Sequence, residues 1–261
     1  MHAFVTAGGV PTPDDPLYPL TQGKPKSLLD VAGKPMVQWV LDALGGSRSI
    51  ERVVLVGVGP ESGLSCSKPI TFIPDQDGLL ANVEAGVAGI LHQDPGAGKI
   101  LAVSSDIPAV TAEMVDWAVA VSAECDSDLY YLVIERVTME KRFPEARRTF
   151  VRLKDAEVCG SDMNVMQAAL VQDKAFWLRL VESRKSPVRQ AALLGLGVLI
   201  PLIFHQLGLQ QAERRISRRL NLRGKVILSP YAEIGMDADK PHQLEILRRD
   251  LARGARPPAG A

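Results

Sequence analysis

Three short stretches of the chain carry residue types suited to handling a polyphosphate. The first is "TAGG", Thr6–Gly9, which closes a short apolar run. A proline-rich loop from Val10 to Pro25 follows, and Lys24 and Lys26 come just after and within its end. Glycines let backbone amides approach an anion, and successive amides form a concave nest for it. Two lysines returning to that nest would add positive charge. No G-x-x-x-x-G-K-[ST] pattern is present, so this is not the loop of a P-loop NTPase. A tight turn with solvated lysines accounts for the same residues equally well.

The second stretch is "LAVSSDIP", with Asp106 at the end of an apolar run and Pro108 behind it. A carboxylate placed there is held at the edge of a sheet. Magnesium takes one or two carboxylates together with phosphate oxygens and waters, so a single fixed aspartate is useful to it. A turn-initiating Asp before a helix is the plainer alternative. The third stretch, "IGMDADKP", holds Asp237 and Asp239. Residues two apart in an extended segment point the same way, so both can face one site and either can complete a metal site with Asp106. Here the alternative is a polar turn.

The elements that must position these residues are legible in the apolar pattern. "HAFVTAGG", "RVVLVGVG" from Arg52, "ITFIPD" and "KILAVSSDIP" read as buried strands. Between them, Pro35 opens a helix with Val37, Val40, Leu41 and Leu44 on one face, and "LLANVEAGVAGIL" forms another. A helix after "KILAVSSDIP" has Thr111 at its start, a residue suited to capping. Continuously apolar strands alternating with helices predict an α/β fold with a mostly parallel, Rossmann-like sheet covered on both faces. In such sheets ligands collect at the carboxyl ends of the strands, where Gly8-Gly9 and Asp106 fall.

After Asp126 the alternation stops. "DLYYLVIE" and "RTFVRLKD" read as strands flanking a charged connector, "RVTMEKRFPEAR". "CGSDMNVM" reads as a loop leading into the helix "AALVQDKAFWLRLVES". "KVILSPYAEIGMDADKPHQLEILRRDL" supplies a last strand, an acidic turn and a closing helix. With no linker and no internal repeat, one domain is expected over residues 1–252, its first half (1–125) for the nucleotide and its second (126–252) for an acceptor. An apolar helical insertion is placed at about 186–222 and a disordered tail at 253–261.

Composition narrows the function classes. Thirty basic residues balance thirty acidic ones, so no global field points to nucleic acid or an anionic membrane, and an anion site must be built locally. Cys66, Cys125 and Cys159 have no metal spacing and suit a reducing cytoplasm. No signal peptide is read at the N-terminus, and a cytoplasmic location is expected. His2, His92, His205 and His242 are dispersed, which suggests neither a metal cluster nor a nucleophilic triad. Gln190–Ala212 has no Asp, Glu, Lys or Arg and approaches the length of a membrane span. Pro201, His205 and its glutamines favour a buried or partner-facing helical pair, with contact to a lipid left as the lesser reading. "ERRISRRL" is read as an amphipathic helix with Ile216 and Leu220 inward, not as a nucleic-acid site.

Taken together, "TAGG", "KSLLDVAGKPM", "SSDIP" and "DADKP" resemble the MobA-like nucleotidyltransferases, named for molybdenum-cofactor guanylyltransferase. The likeness runs from the N-terminus to about Pro108 and resumes near the end. It implies a nucleotide-diphospho-sugar transferase type of sheet and transfer of a nucleoside monophosphate from an NTP to a phosphorylated acceptor, with release of pyrophosphate. Carried over, the backbone at Ala7, Gly8 and Gly9 cradles the triphosphate, and Lys26 neutralises charge on the α-phosphate and the leaving pyrophosphate. Asp106 and Asp239 hold Mg²⁺, with Asp237 a weaker candidate. In the segment where relatives read the base, Gly78 admits the nucleobase and Asn82 bonds its edge. Gly160, Asp162 and Asn164 are the acceptor-side candidates. Base, acceptor and oligomeric state are not specified by the sequence.

One departure stands out. Relatives carry an arginine in the loop between the glycine pair and the lysine, whereas Val10–Pro25 contains none. Lys24, Arg147 or Arg148 are the possible substitutes. The absence supports a rival reading as a non-catalytic nucleotide-binding module. A glycosyltransferase using a nucleotide-sugar is a second rival, because Asp237-x-Asp239 mimics its metal motif. That motif, however, follows a central strand in those enzymes and here precedes the final helix.

Overall fold

A computed structural model describes residues 1–172, 198, 201–202 and 204–254. Strand β1 (His2–Thr6) is buried on both sides, with Ala3 and Val5 facing one core and Phe4 the other. This explains its continuous apolar run: a strand covered twice has no solvent face to mark with polar residues. The proline-rich loop contains a single helical turn, α1 (Tyr18–Thr21), anchored by the fully buried Leu17. A small antiparallel hairpin, β2 (Asp30–Val31) and β3 (Lys34–Pro35), feeds α2 (Met36–Gly46). Its Val37, Val40, Leu41 and Leu44 are all buried, as their spacing predicts.

The chain continues through β4 (Arg52–Val56), β5 (Ile70–Ile73), α3 (Leu79–Gln93), β6 (Lys99–Ser104) and α4 (Ala112–Ala123). Next come β7 (Leu129–Glu135), α5 (Arg136–Arg142), β8 (Val151–Arg152), β9 (Glu157–Gly160) and β10 (Met163–Gln167). Helix α6 (Leu209–Leu220), β11 (Gly224–Ser229) and α7 (Pro241–Gly254) complete it. Among the described residues, nine strands form one sheet in the order β5-β4-β1-β6-β10-β7-β9-β8, with β11 paired to β7. Strands β5, β4, β1 and β6 are parallel, as are β7 and β11. Helices α2, α4 and α7 pack in the core on one face, and α3 packs on the other. The fold is α/β with helices on both faces of a mixed, mostly parallel sheet.

The second half departs from its expected order at one point and adds a helix at another. "CGSDMNVM" is not a loop: Cys159 and Gly160 end β9, and Met163 begins β10, which runs antiparallel between β6 and β7. Met163, Val165 and Met166 are buried there, but the Gly-Ser-Asp-Asn composition around them mimics a loop. The charged connector, too, contains a helix, α5. Thr111 occupies the predicted start of α4 but makes no side-chain capping bond.

Ile216 packs against one apolar cluster and Leu220 against another, as read from the basic helix. Residues 190–197, 199–200 and 203, most of the helix expected after Ala168, and the tail from 255 lie outside the described residues. Of the apolar segment, Val198 and Leu207 are buried and Phe204 is exposed. Among the described residues no helix is long and apolar enough to cross a membrane.

Candidate active site

The carboxyl ends of β1, β5 and β6 open onto a cleft of about 500 Å³, within the range of small-molecule sites. Ala7, Gly8 and Gly9 form one wall and Lys26, Ser27 and Asp106 line it, as do Asp75, Asp77, Gly78 and Asn82. The glycine loop is tied down from beneath. Ala7 N–H donates to the Val56 carbonyl (2.7 Å), and Ser27 Oγ donates to the Ala7 carbonyl (2.8 Å). Lys26 N–H donates to the Gly9 carbonyl at 2.9 Å. This last bond returns the lysine to the turn after the Val10–Pro25 excursion.

Two features of this wall escape the sequence reading. Gly57, directly after β4, has φ +114°, and a Cβ there would lie 2.0 Å from the Gly8 nitrogen. The repeated glycines of "VGVG" are its signal in the sequence. The other is Asp75, whose Oδ1 accepts from Asn82 Nδ2 at 2.7 Å, while Asn82 Oδ1 accepts from Gln76 N–H at 2.8 Å. The Asn82 side chain thus fixes the turn before α3 and holds Asp75 over Gly8. A Cβ on Gly8 would come within 2.0 Å of Asp75 Oδ1. Gly78 lines the cleft at the start of α3.

At the far end of the glycine wall, the Lys26 ammonium donates to Asp106 Oδ2 and to Asp239 Oδ1, both at 2.6 Å. Ser104 Oγ orients Asp106 through its other oxygen, Oδ1, at 2.6 Å. The loop carrying Asp239 hangs from the same residue, because Ala238 N–H donates to the Asp106 carbonyl at 3.0 Å. Burial alone would lower the Lys26 pKa, but the two carboxylates outweigh it and hold the ammonium above its ordinary value. Burial alone would raise Asp106, but the Lys26 charge and hydrogen bond keep it below the usual carboxylate range.

Asp237 and Ala238 are buried, whereas the Asp239 side chain is largely exposed. The two aspartates take different cations: Asp239 pairs with Lys26, and Asp237 with Arg148. Asp162 is next to this pair, its Oδ2 3.9 Å from Arg148 Nη2. Burial, then Asp106 and Asp237, push the Asp162 carboxyl well above its ordinary value. Asp237 is pushed up to about 6, chiefly by burial and against the pull of Arg148. Four carboxylates therefore share two cations.

Among the described residues, no three His, Cys, Asp or Glu side chains form a ready-made metal site. The arrangement nonetheless suits a hard divalent cation. Two carboxylates already bracket a positive charge, and magnesium draws its remaining ligands from phosphate and water.

The other predicted residues divide. Lys24 is exposed and does not line the cleft, leaving Lys26 as the basic side chain among the residues that do. Arg147 is exposed, and Arg148 is committed to Asp237 and Asp162, so neither stands in the cleft lining as a substitute for the missing loop arginine. Gly160 ends β9, where a Cβ would meet Tyr131 Oη at 2.3 Å. The Asn164 amide is spent on backbone: Oδ1 accepts from Leu132 N–H at 2.9 Å, and Nδ2 donates to the Ser161 carbonyl at 3.0 Å. It stitches β10 to β7 in this structure.

A glycine-walled cleft at parallel strand ends, closed by a lysine and aspartates, defines a nucleotide-handling α/β enzyme. More specifically, the chain belongs to the MobA-like NTP transferase domain family, which matches residues 7–217. A hypothetical transferase from Thermus thermophilus is similar at 30% identity and a TM-score of 0.79, over 94% of this chain and 100% of that one. CMP:2-keto-3-deoxy-manno-octonic acid synthetase complexed with CTP shares the fold at 14% identity and a TM-score of 0.56, over 97% of this chain and 98% of that one. So does a 4-diphosphocytidyl-2C-methyl-D-erythritol synthase, at 12% identity and 0.56, over 95% and 97%. The chain is thus a nucleotidyltransferase, an enzyme of general nucleotidyl transfer to a phosphorylated small molecule.

Proposed function

We propose that the chain carries out Mg²⁺-dependent transfer of a nucleoside monophosphate from an NTP to a phosphorylated sugar, polyol or cofactor precursor, releasing pyrophosphate. The observation that carries this reading is the Lys26 ammonium set between Asp106 and Asp239 beside the glycine wall. The backbone of Ala7, Gly8 and Gly9 receives the triphosphate. Lys26 then exchanges a carboxylate for the phosphate oxygens, where charge accumulates as the α-phosphorus bond to the leaving group breaks. An acceptor-phosphate oxygen forms the new bond, and pyrophosphate departs with the electron pair. A phosphate monoester is already largely ionised near neutral pH, with a second pKa of about 6, so no general base is required. The work left to the protein is alignment and charge stabilisation. Asp106 and Asp239 would hold Mg²⁺, which supplies Lewis acidity and a template for the phosphates. Asp162 faces the acceptor side.

The test is pyrophosphate release with each of the four NTPs and Mg²⁺, against panels of phosphorylated sugars, polyols and cofactor precursors. Release with one NTP and one panel, abolished by Asp106→Ala, is the expected result. Nucleotide binding without release across every panel would favour the non-catalytic module, as the missing loop arginine does.

A further inference from the structure

We propose that Arg148 is a positioning residue for the acidic segment 237–239, acting through Asp237 to set Asp239 against Lys26. The inference rests on the reading of Lys26 and Asp239 given above.

Arg148 lies on the connection between α5 and β8, far in sequence from the residues it serves. Arg147 takes a left-handed backbone, φ +50°, and stays exposed, while Arg148 turns inward with 14% of its side chain accessible. There it grips Asp237, whose side chain is 9% accessible, and reaches toward Asp162. These three residues come from three separate connections: α5 to β8, β9 to β10, and β11 to α7. The backbone around them is fixed. Asp162 N–H donates to the Ile234 carbonyl at 2.9 Å, and the Asp162 carbonyl accepts from Ser104 N–H at 2.8 Å.

The segment 237–239 is therefore a three-residue arch with two anchors. Its middle hangs from the Asp106 carbonyl through Ala238, and its first side chain is held by Arg148. The third residue, Asp239, has a side chain 59% accessible and meets Lys26. Without Arg148, Lys26 alone is left to balance Asp106, Asp162, Asp237 and Asp239, and the repulsion of Asp237 and Asp162 from Asp106 drives the arch outward. A guanidinium suits this role because its planar fork can serve two carboxylates at once, which a lysine ammonium does not reproduce.

The test compares Arg148→Met, Arg148→Lys, Asp237→Asn and the double variant Arg148→Met/Asp237→Asn. The double variant removes both members of the pair, so it keeps the comparison usable if Arg148→Met alone misfolds. The first readout needs no turnover: the rate of acetylation of Lys26 by acetic anhydride, followed by peptide mass spectrometry on folded protein. Loss of the Asp239 contact should speed it about threefold in Arg148→Met, the worth of one partly exposed ion pair. Arg148→Lys should lie between, and the double variant should be no faster than either single one. The second readout is kinetic, with the NTP and acceptor identified for the wild type. Displacement of Asp239 by about 1 Å should cut kcat by roughly 10- to 100-fold, leaving nucleotide KM within about twofold. Unchanged Lys26 protection in folded Arg148→Met overturns the inference. So does additivity of the two single substitutions. A wild type without turnover refutes the nucleotidyl-transfer assignment instead, and Lys26 protection still decides the role of Arg148.

Discussion

Asp106→Asn separates chemistry from stability at a single oxygen. The substitution keeps the side chain's shape and leaves the Asp106 carbonyl to hold Ala238. It removes the charge that Lys26 meets at 2.6 Å, while an amide oxygen still accepts from Ser104. A hydrogen bond to a charged group contributes about 1.5–3 kcal/mol. Two effects offset that loss. Lys26 retains Asp239, and the repulsion that Asp106 exerts on Asp162 and Asp237 disappears. Net destabilisation should therefore be about 1–2 kcal/mol, or roughly 2–4 °C in melting temperature for a chain of this size. Turnover should fall about 10³-fold or more, equivalent to about 4 kcal/mol of transition-state stabilisation. Single-turnover pyrophosphate release and thermal melting, run on the same preparation, measure both. Activity above a tenth of wild type would refute Asp106 as a residue that holds the Mg²⁺ serving the reacting phosphates. A melting loss large enough to explain the inactivity would refute the claim that its role is chemical.

Other outcomes follow from the same geometry. Gly8→Ala should weaken nucleotide binding about tenfold yet fold normally, because the clashing atoms belong to the exposed Asp75 side chain; calorimetry and melting decide it. Gly57→Ala should cost about 3 kcal/mol or more in denaturant unfolding, since φ +114° and a backbone clash leave it no escape. Asn164→Ala should destabilise by about 1–3 kcal/mol through an unsatisfied Leu132 N–H while leaving acceptor KM unchanged, and a raised KM alone would restore it as a binding residue. Stability in the absence of divalent cations should fall as pH rises from about 4 to 6. Folded Asp237 holds its proton up to about 6, above the ordinary aspartate value of 3.8, so the folded state binds more protons in that window. Asp162, also held above its ordinary value by burial, acts in the same direction, so Arg148→Met/Asp237→Asn should lessen the fall without abolishing it, as read from urea midpoints. Carboxylates held low, such as Asp106 and Asp128, have the opposite sign but act below about pH 4.

The sequence by itself determined the parallel half of the sheet, because a strand buried on both faces must be apolar throughout, as "AFV" and "VVLV" are. It also determined the glycine turn, the lysine that returns to it, and Asp106 at a strand end, since these depend on local order and residue type. The family resemblance lay in those same residues. The antiparallel β10 was hidden, because five residues with an asparagine second carry too little alternation to outweigh the loop-like composition beside them. The three-dimensional fold alone decided which acid meets which base. Lys26 is 213 positions from Asp239, and Arg148 is 89 from Asp237. No period or spacing encodes such pairings: they exist because sheet order brings the β6 end, the β9–β10 turn and the β11–α7 loop to one edge. The same packing assigned Asn164 to the backbone and Asp75 to the cleft, two residues whose types alone suggest either role.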